Sequence, residues 1–196
     1  MQEIWPLLWF PPVAWFTGVW TKRIPISLEG DYVRQSLMNR CWIKGPNRIL
    51  SLTIPVQNSK DKESKEYRFI KIAYQQAWHK EHWRSIEVAY NRSAFFEYIA
   101  PELKKIWEYK PETLAELSQL SFSFCCNWLR LPEAEWTKDS PTYNSVLFPS
   151  SPKPTLEVSE SPYFQLYGPF VPGLSILDLL FHENPNEVRQ RILTSQ

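Results

Sequence analysis

Between Trp78 and Leu103 the chain reads WHKEHWRSIEVAYNRSAFFEYIAPEL, where aromatic, basic and acidic side chains interleave at helical spacing. On a period of 3.6, Trp78, His82, Ile86 and Ala89 share one stripe, and His79, Trp83 and Tyr90 run along its edge. Lys80, Glu81, Arg84 and Glu87 fall mostly outside it. The pattern predicts an amphipathic helix whose apolar face carries imidazole rings. Asn91-Arg92-Ser93 interrupts it, and Ser93 is placed to cap a second helix opening with Phe95 and Phe96. Pro101 suits the first turn of a further helical segment.

The first half of the chain carries strand signals. Residues 4–10 are apolar and aromatic, an expected buried extended segment, and Pro12 suits the start of a short helix bearing Trp15, Phe16, Val19 and Trp20. Arg23–Leu28 predicts a short or edge strand because of Pro25. Leu50, Leu52, Ile54 and Val56 alternate with Ser51, Thr53 and Pro55, the period of a half-buried strand. Gly45-Pro46-Asn47 separates that run from Asn39–Ile43, which predicts a hairpin. Residues 57–66 predict a charged loop, and Ile70, Ile72 and Tyr74 predict a third strand of the same sheet.

The second half reads as helical. From Pro111 to Arg130, Leu114, Leu117, Leu120, Phe124 and Trp128 recur every three or four residues, with Cys125-Cys126 inside as small buried hydrophobes. From Asp139 to Pro162 five prolines and many serines predict an extended connector. Beyond it, Ser175 with Asp178 resembles a capping box, and Asn184-Pro185 with Glu187 predicts the start of a last helix. The expected architecture is therefore α+β. A small mixed sheet comes from the N-terminal half, with a helical C-terminal half and its last helix packed on it, as one domain over residues 1–196.

With 196 residues, 43% of them apolar, and ten tryptophans, the chain has material for a sizeable core. Its 22 basic and 21 acidic residues leave a formal charge of +1, which gives no electrostatic reason to expect nucleic acid or an acidic membrane as partner. Three cysteines form neither a disulfide framework nor a metal-ligand pattern, so reduced thiols and a soluble, cytoplasmic protein are expected. The opening MQEIWPLLWFPPVAWFTGVW lacks a basic start, carries Glu3 and is broken by Pro6, Pro11 and Pro12. It reads neither as a signal peptide nor as a transmembrane segment. Five glycines are too few and too scattered for a phosphate-binding loop or a dinucleotide fingerprint.

Several side chains could carry chemistry. His79 and His82 stand three apart on the expected helix, but no carboxylate has ligand spacing beside them, and no metal is expected. His82, on an apolar face beside Trp83, is either a core residue or a general base held in one tautomer. Asn39, Arg40 and Cys41, with Glu29, Tyr32, Arg34 and Gln35 just upstream, form the densest polar group near the expected sheet edge. Arg40 suits a phosphate or carboxylate, Glu29 an amine, and Cys41 would need a neighbouring base to act as a nucleophile; the alternative is an ordinary salt-bridged strand surface. Asp178, between Leu177 and Leu179, is either a capping acid or a partly buried group facing a site.

Three segments together resemble the WbqC-like family of bacteria. They are FPPVAWF with the downstream NRCWIKG…LSLTIPV, then HWRSIEVAYNRSAFFEY, and finally GPFVPGLSILDLLFHENPN. The resemblance implies a role in surface-polysaccharide biosynthesis of the O-antigen type, as a transferase passing glycine or another acyl group to an amino sugar. It also implies a small-molecule or nucleotide-sugar substrate and points to Glu29, Tyr32, Asn39, Arg40, His82, Trp83, Tyr90, Asp178 and Asn184. His82, Glu29 and Asp178 are the expected catalytic groups; Arg40, Asn39, Tyr32, Trp83, Tyr90 and Asn184 are expected to bind substrate. No cofactor is assigned. This chain departs from longer members, which carry a further Gly-rich and basic stretch where the Pro/Ser connector stands here. Met38 also replaces a usual Lys or Arg, and Asn184-Pro185 replaces Gly-Pro. Those departures keep open the alternative of a non-catalytic glycan- or partner-binding protein.

Overall fold

From Trp5 to Val19 every residue is buried, so the start of the chain runs through the interior instead of over it. A computed structural model describes residues 2–57, 65–142 and 160–194. Inside that buried run lie strand β1 (Trp5–Pro6) and helix α1 (Val13–Thr21). A helix that is apolar all round has no face for solvent, and α1 is enclosed accordingly. Strand β2 (Ile26–Ser27) pairs with β1 in parallel, and Ile26 bonds onward to Glu135 and Thr137.

Strands β3 (Arg40–Lys44) and β4 (Ile49–Thr53) form the expected antiparallel hairpin, with Cys41 opposite Leu52 and Lys44 opposite Ile49. The third strand does not form. Residues 67–69 make a 3-10 turn, and Ile72 touches Val56 through one isolated bridge. Ile72 donates instead to the Glu112 carbonyl, so this stretch is shared with the approach to a helix. The strands of the described residues therefore fall in two separate two-stranded ribbons.

Helices α2 (Trp78–Tyr90), α3 (Phe96–Tyr109), α4 (Leu114–Leu129), α5 (Ile176–His182) and α6 (Pro185–Thr194) complete the mixed α+β fold. The buried positions of α2 include Trp78, His82, Ile86 and Ala89, the expected stripe. Ser93 does not cap α3: its hydroxyl donates to the Tyr90 carbonyl and thereby closes α2. Pro101 lies inside α3 and does not start a new segment, so that helix forgoes one backbone hydrogen bond there. In α4 the buried face is turned from the expected one. Ser118, Ser121 and Cys125 face inward beside Leu114, Leu117 and Leu129, whereas Leu120, Phe124 and Trp128 are half-buried. The small side chains admit the chain at Phe10, whose N–H donates to Ser121 Oγ (3.4 Å), and Tyr67, whose hydroxyl meets Ser118 Oγ (2.7 Å). Helix α6 begins at Pro185 with Asn184 accepting from the Asn186 N–H (2.9 Å), as expected. It packs on α1 and α4, while α5 meets β3. The expected loop at residues 57–66 and the connector at 139–162 lie largely outside the described residues.

Gly18 of α1 is where Trp5 rests. A Cβ there would stand 2.3 Å from Trp5 Cη2 and 2.5 Å from Cζ3. Alanine is the better helix former, by roughly 1 kcal/mol. Forcing a buried indole aside costs about 1–3 kcal/mol. Gly18→Ala is expected to lower the melting temperature by a few degrees; an unchanged or higher value would show that Trp5 does not seat there.

Candidate functional site

Asp178 sits in the first turn of α5 with 0% of its surface exposed. It is not the capping acid of a box. Ser175 alone caps α5, accepting from the Leu177 N–H (3.2 Å). The Asp178 carboxyl instead accepts from the Tyr90 hydroxyl at Oδ1 (2.8 Å) and from the Tyr163 hydroxyl at Oδ2 (2.9 Å). His182, one turn on, bonds the Asp178 carbonyl through Nδ1 (2.6 Å) and accepts the Leu166 N–H at Nε2 (3.2 Å). That bonding is the pattern of the Nδ1–H tautomer.

Burial pushes the Asp178 carboxyl up from the ordinary carboxylate range, with His182, the two phenols and the Lys44 charge pulling the other way. It also pushes both phenols up, the neighbouring Asp178 charge adding to it. Desolvation thus governs the group.

Lys44 ends β3, immediately before the hairpin turn, and is 8% exposed. Its backbone N–H donates to the Tyr90 hydroxyl (3.4 Å), and its ammonium donates to Gln165 Oε1 (3.0 Å) and to the Pro169 carbonyl. Gln165 also exchanges two hydrogen bonds with the Val171 backbone, both 2.9 Å, which closes the 165–171 loop over the lysine. Both acceptors of the ammonium are neutral. Among the described residues no carboxylate lies within ion-pair distance of it, and burial lowers its proton affinity while Asp178 partly restores it. Lys44 forms one wall of a cleft of about 220 Å³ between the hairpin turn at 45–49 and residues 167–171. The arrangement offers an amine with weakened hold on its proton, backed by a buried carboxyl-phenol pair. It can accept a proton or bind an anion at the cleft.

Sequence reasoning singled out Tyr90 and Asp178 but not their contact. It missed Lys44, Tyr163, Gln165 and His182. Lys44 had one signal, a lysine closing an apolar strand just before a Gly-Pro turn. Tyr163 had none, lying in a stretch without periodicity.

The other expected site residues separate into two further places. At the end of β4, Asn39 Nδ2 donates to the Ile54 carbonyl (2.7 Å), Arg40 Nε donates to Thr53 Oγ1 (3.2 Å), and His82 bonds the Thr53 backbone. Tyr32 is held near Arg40 and Arg34, whose charges draw its phenol down against the stronger effect of burial. His82 is 7% exposed, stacked on Trp9 (5.7 Å) and edge-on to Trp78 (5.1 Å). Glu29 pairs with Arg68 at 3.3 Å on the surface. Trp83 lies between α2 and α3, with its indole donating to Glu87 (2.6 Å). Asn184 caps α6 and borders a separate hollow beside the end of α4. Burial keeps the Cys41 thiol protonated, contrary to what a nucleophile needs. Among the described residues no His, Cys, Asp and Glu side chains gather as a metal centre, and no helix is long and apolar enough to cross a membrane.

The fold and the site define a mixed α+β protein with a buried carboxyl-phenol network reached beside a lysine-walled cleft. Lys44, Tyr90 and Asp178 come one each from the NRCWIKG, HWRSIEVAYNRSAFFEY and GPFVPGLSILDLLFHENPN segments. The chain belongs to the WbqC-like protein family, whose sequence model matches residues 28–146 and 155–190. No curated protein and no solved structure matches it.

Two outcomes follow from burial. Tyr163→Phe removes one of the two phenols from an enclosed carboxyl and is expected to cost about 1–3 kcal/mol in urea unfolding; no loss would mean the carboxyl finds other partners. The His82 imidazole is brought down to about 4 from 6.5, chiefly by burial. Protons then favour the unfolded chain, so the stability tied to neutral His82 is complete above pH 6.5 and drains as pH falls toward 4. The loss is roughly 3 kcal/mol. His82→Gln should lack that increment of acid sensitivity, and an identical acid limb in both proteins would place His82 in water.

Proposed function

We propose that this chain acts in bacterial surface-polysaccharide biosynthesis of the O-antigen type, as a cytoplasmic single-domain transferase that passes glycine or another acyl group to an amino sugar. The observation that carries the reading is the meeting of three family segments at Lys44, Tyr90 and Asp178 beside a cleft. In the transfer the sugar nitrogen attacks the acyl carbonyl, a C–N bond forms, and the bond to the donor's leaving group breaks. The nitrogen then sheds a proton to a base.

Lys44 and His82 are the two candidates for the base, and access separates them. Lys44 walls the cleft, its proton affinity lowered by burial and partly restored by Asp178, whereas His82 is enclosed between indoles. Lys44 is therefore assigned the base, with Asp178 and Tyr90 setting its field. Arg40, which has no carboxylate partner among the described residues, is assigned to a phosphate or carboxylate, with Tyr32 and Asn39 beside it.

The test is acyl transfer to nucleotide-linked amino sugars, read by mass spectrometry, in the native protein, Lys44→Met and His82→Gln. Methionine keeps the stem of Lys44 and removes its charge, so the fold should survive. Turnover is expected to fall by about 100-fold or more in Lys44→Met and to persist in His82→Gln. The reverse result would return the base to His82. A native protein that binds glycan yet transfers nothing would favour the non-catalytic binding role.

A further inference from the structure

Along the edge of the buried stripe of α2, α2 and α3 border a pocket of about 390 Å³. His79, Lys80, Trp83, Lys104, Trp107 and Lys110 form its walls. Three lysines line it against one lining carboxylate, Glu108, which lies 3.9 Å from Lys104. Lys104 also stands over the Trp83 ring at 5.9 Å. Among the described residues neither Lys80 nor Lys110 has an acidic partner.

Like charges gathered around a concave surface raise one another's energy, and an anion lowers it. A surface lysine with no partner is ordinary; two such lysines and a third, Lys104, shared with Glu108, on one pocket with a tryptophan pair need a further reason. Trp83 and Trp107 lie 6.2 Å apart at 60°, and Trp107 is anchored by stacking on Phe10 (5.3 Å). The aromatic wall is thus fixed to the core.

His79 Nδ1 and Trp107 Nε1 are buried without a partner, and both residues line this pocket. They are two of nine such side-chain atoms among the described residues, so the lysines and the indoles are what mark this pocket. Burial, then Lys110 and Lys80, lower the proton affinity of His79.

We propose that this pocket binds a nucleoside diphosphate. Its phosphates meet Lys80, Lys104 and Lys110, and its base lies along Trp83. Phosphate recognition by lysine is electrostatic, and base stacking on an aromatic ring tolerates any base. The pocket is distinct from the cleft of the proposed transfer, since neither Lys44 nor Asp178 lines it. Failure of one assignment therefore leaves the other standing.

The test is calorimetric titration of the full chain with UDP, ADP, uridine and inorganic pyrophosphate at low and high salt. Both diphosphonucleosides are expected to bind roughly tenfold more tightly than uridine or pyrophosphate, and to weaken with salt. Lys110 ends α3 at φ 54°, a conformation that suits glycine, so Lys110→Gly removes the charge and relieves the backbone at once. That variant should melt no lower than the native protein yet bind UDP roughly tenfold more weakly. Lys80→Ala should do the same, and Trp83→Leu should erase the preference for UDP over pyrophosphate. Equal affinity for pyrophosphate and UDP in the native protein would overturn the nucleoside assignment. Binding unchanged in both lysine variants, or no binding at all, would overturn the pocket.

Discussion

The structure depends on satisfying the polar backbone of a segment that has no access to water. Trp5 to Val19 lies wholly inside, and outside β1 and α1 its peptide groups lack a regular ladder. Unpaired, each would cost as much as a lost hydrogen bond. The sequence reduces the need by placing Pro6, Pro11 and Pro12 there, each of which carries no N–H. The remaining groups find partners far along the chain. Trp5 and Leu7 donate to the carbonyls of Pro25 and Ser27, and Phe10 donates to Ser121; Phe10 and Pro11 accept from the Ser175 hydroxyl and the Ile176 N–H. Phe10 takes a left-handed φ of 41°, a strained choice for a bulky residue that only such over-determined surroundings maintain.

The site inherits its position from that arrangement. Ser175 both holds Phe10 and caps α5, so the start of α5 is pinned to the central segment at one residue. Asp178 follows three positions later and cannot reach water. A carboxyl so placed loses hydration and is retained only because two phenols replace it. One of these, Tyr90, lies on the buried side of α2, where it also stacks on Phe181 at 4.6 Å. The aromatic core and the polar network are therefore one assembly, and a change in the packing of α2 on α5 is felt at Asp178.

Elements with one buried face were readable from the sequence, because periodicity reports burial. Trp78, His82, Ile86 and Ala89 on α2, and the β3–β4 hairpin with its Gly-Pro turn, were legible on that ground. Helix α4 was legible as a helix but not in its facing. Leucine, phenylalanine and tryptophan weigh more in a periodicity than serine, yet Ser118 and Ser121 are the residues whose hydroxyls the core requires. The third strand failed because Ile70 and Ile72 spend their backbone bonds on Glu112 and Leu114, partners no local pattern foretells. Pro101 reads as a helix start in sequence, yet α3 accommodates it in its interior. Tyr90 and Asp178 were picked out singly, but their contact, and the parts of Lys44, Tyr163 and Gln165, arise only when distant segments meet.

Lys44 is the least comfortable residue of the assembly in purely structural terms. An ammonium taken from water is ordinarily compensated by a carboxylate in contact, and Lys44 has two neutral oxygens instead. Closing the 165–171 loop does not require it, since Gln165 already bonds Val171 in both directions. Nor does the hairpin, whose register is set by the alternation of Cys41, Ile43 and Leu52. What the position does provide is a cation with its proton loosened by burial, at the wall of a cleft, over a carboxyl too enclosed to meet it directly. The cost of its burial is explained if the amine meets something in the cleft, and that is the physical ground for assigning it the chemistry.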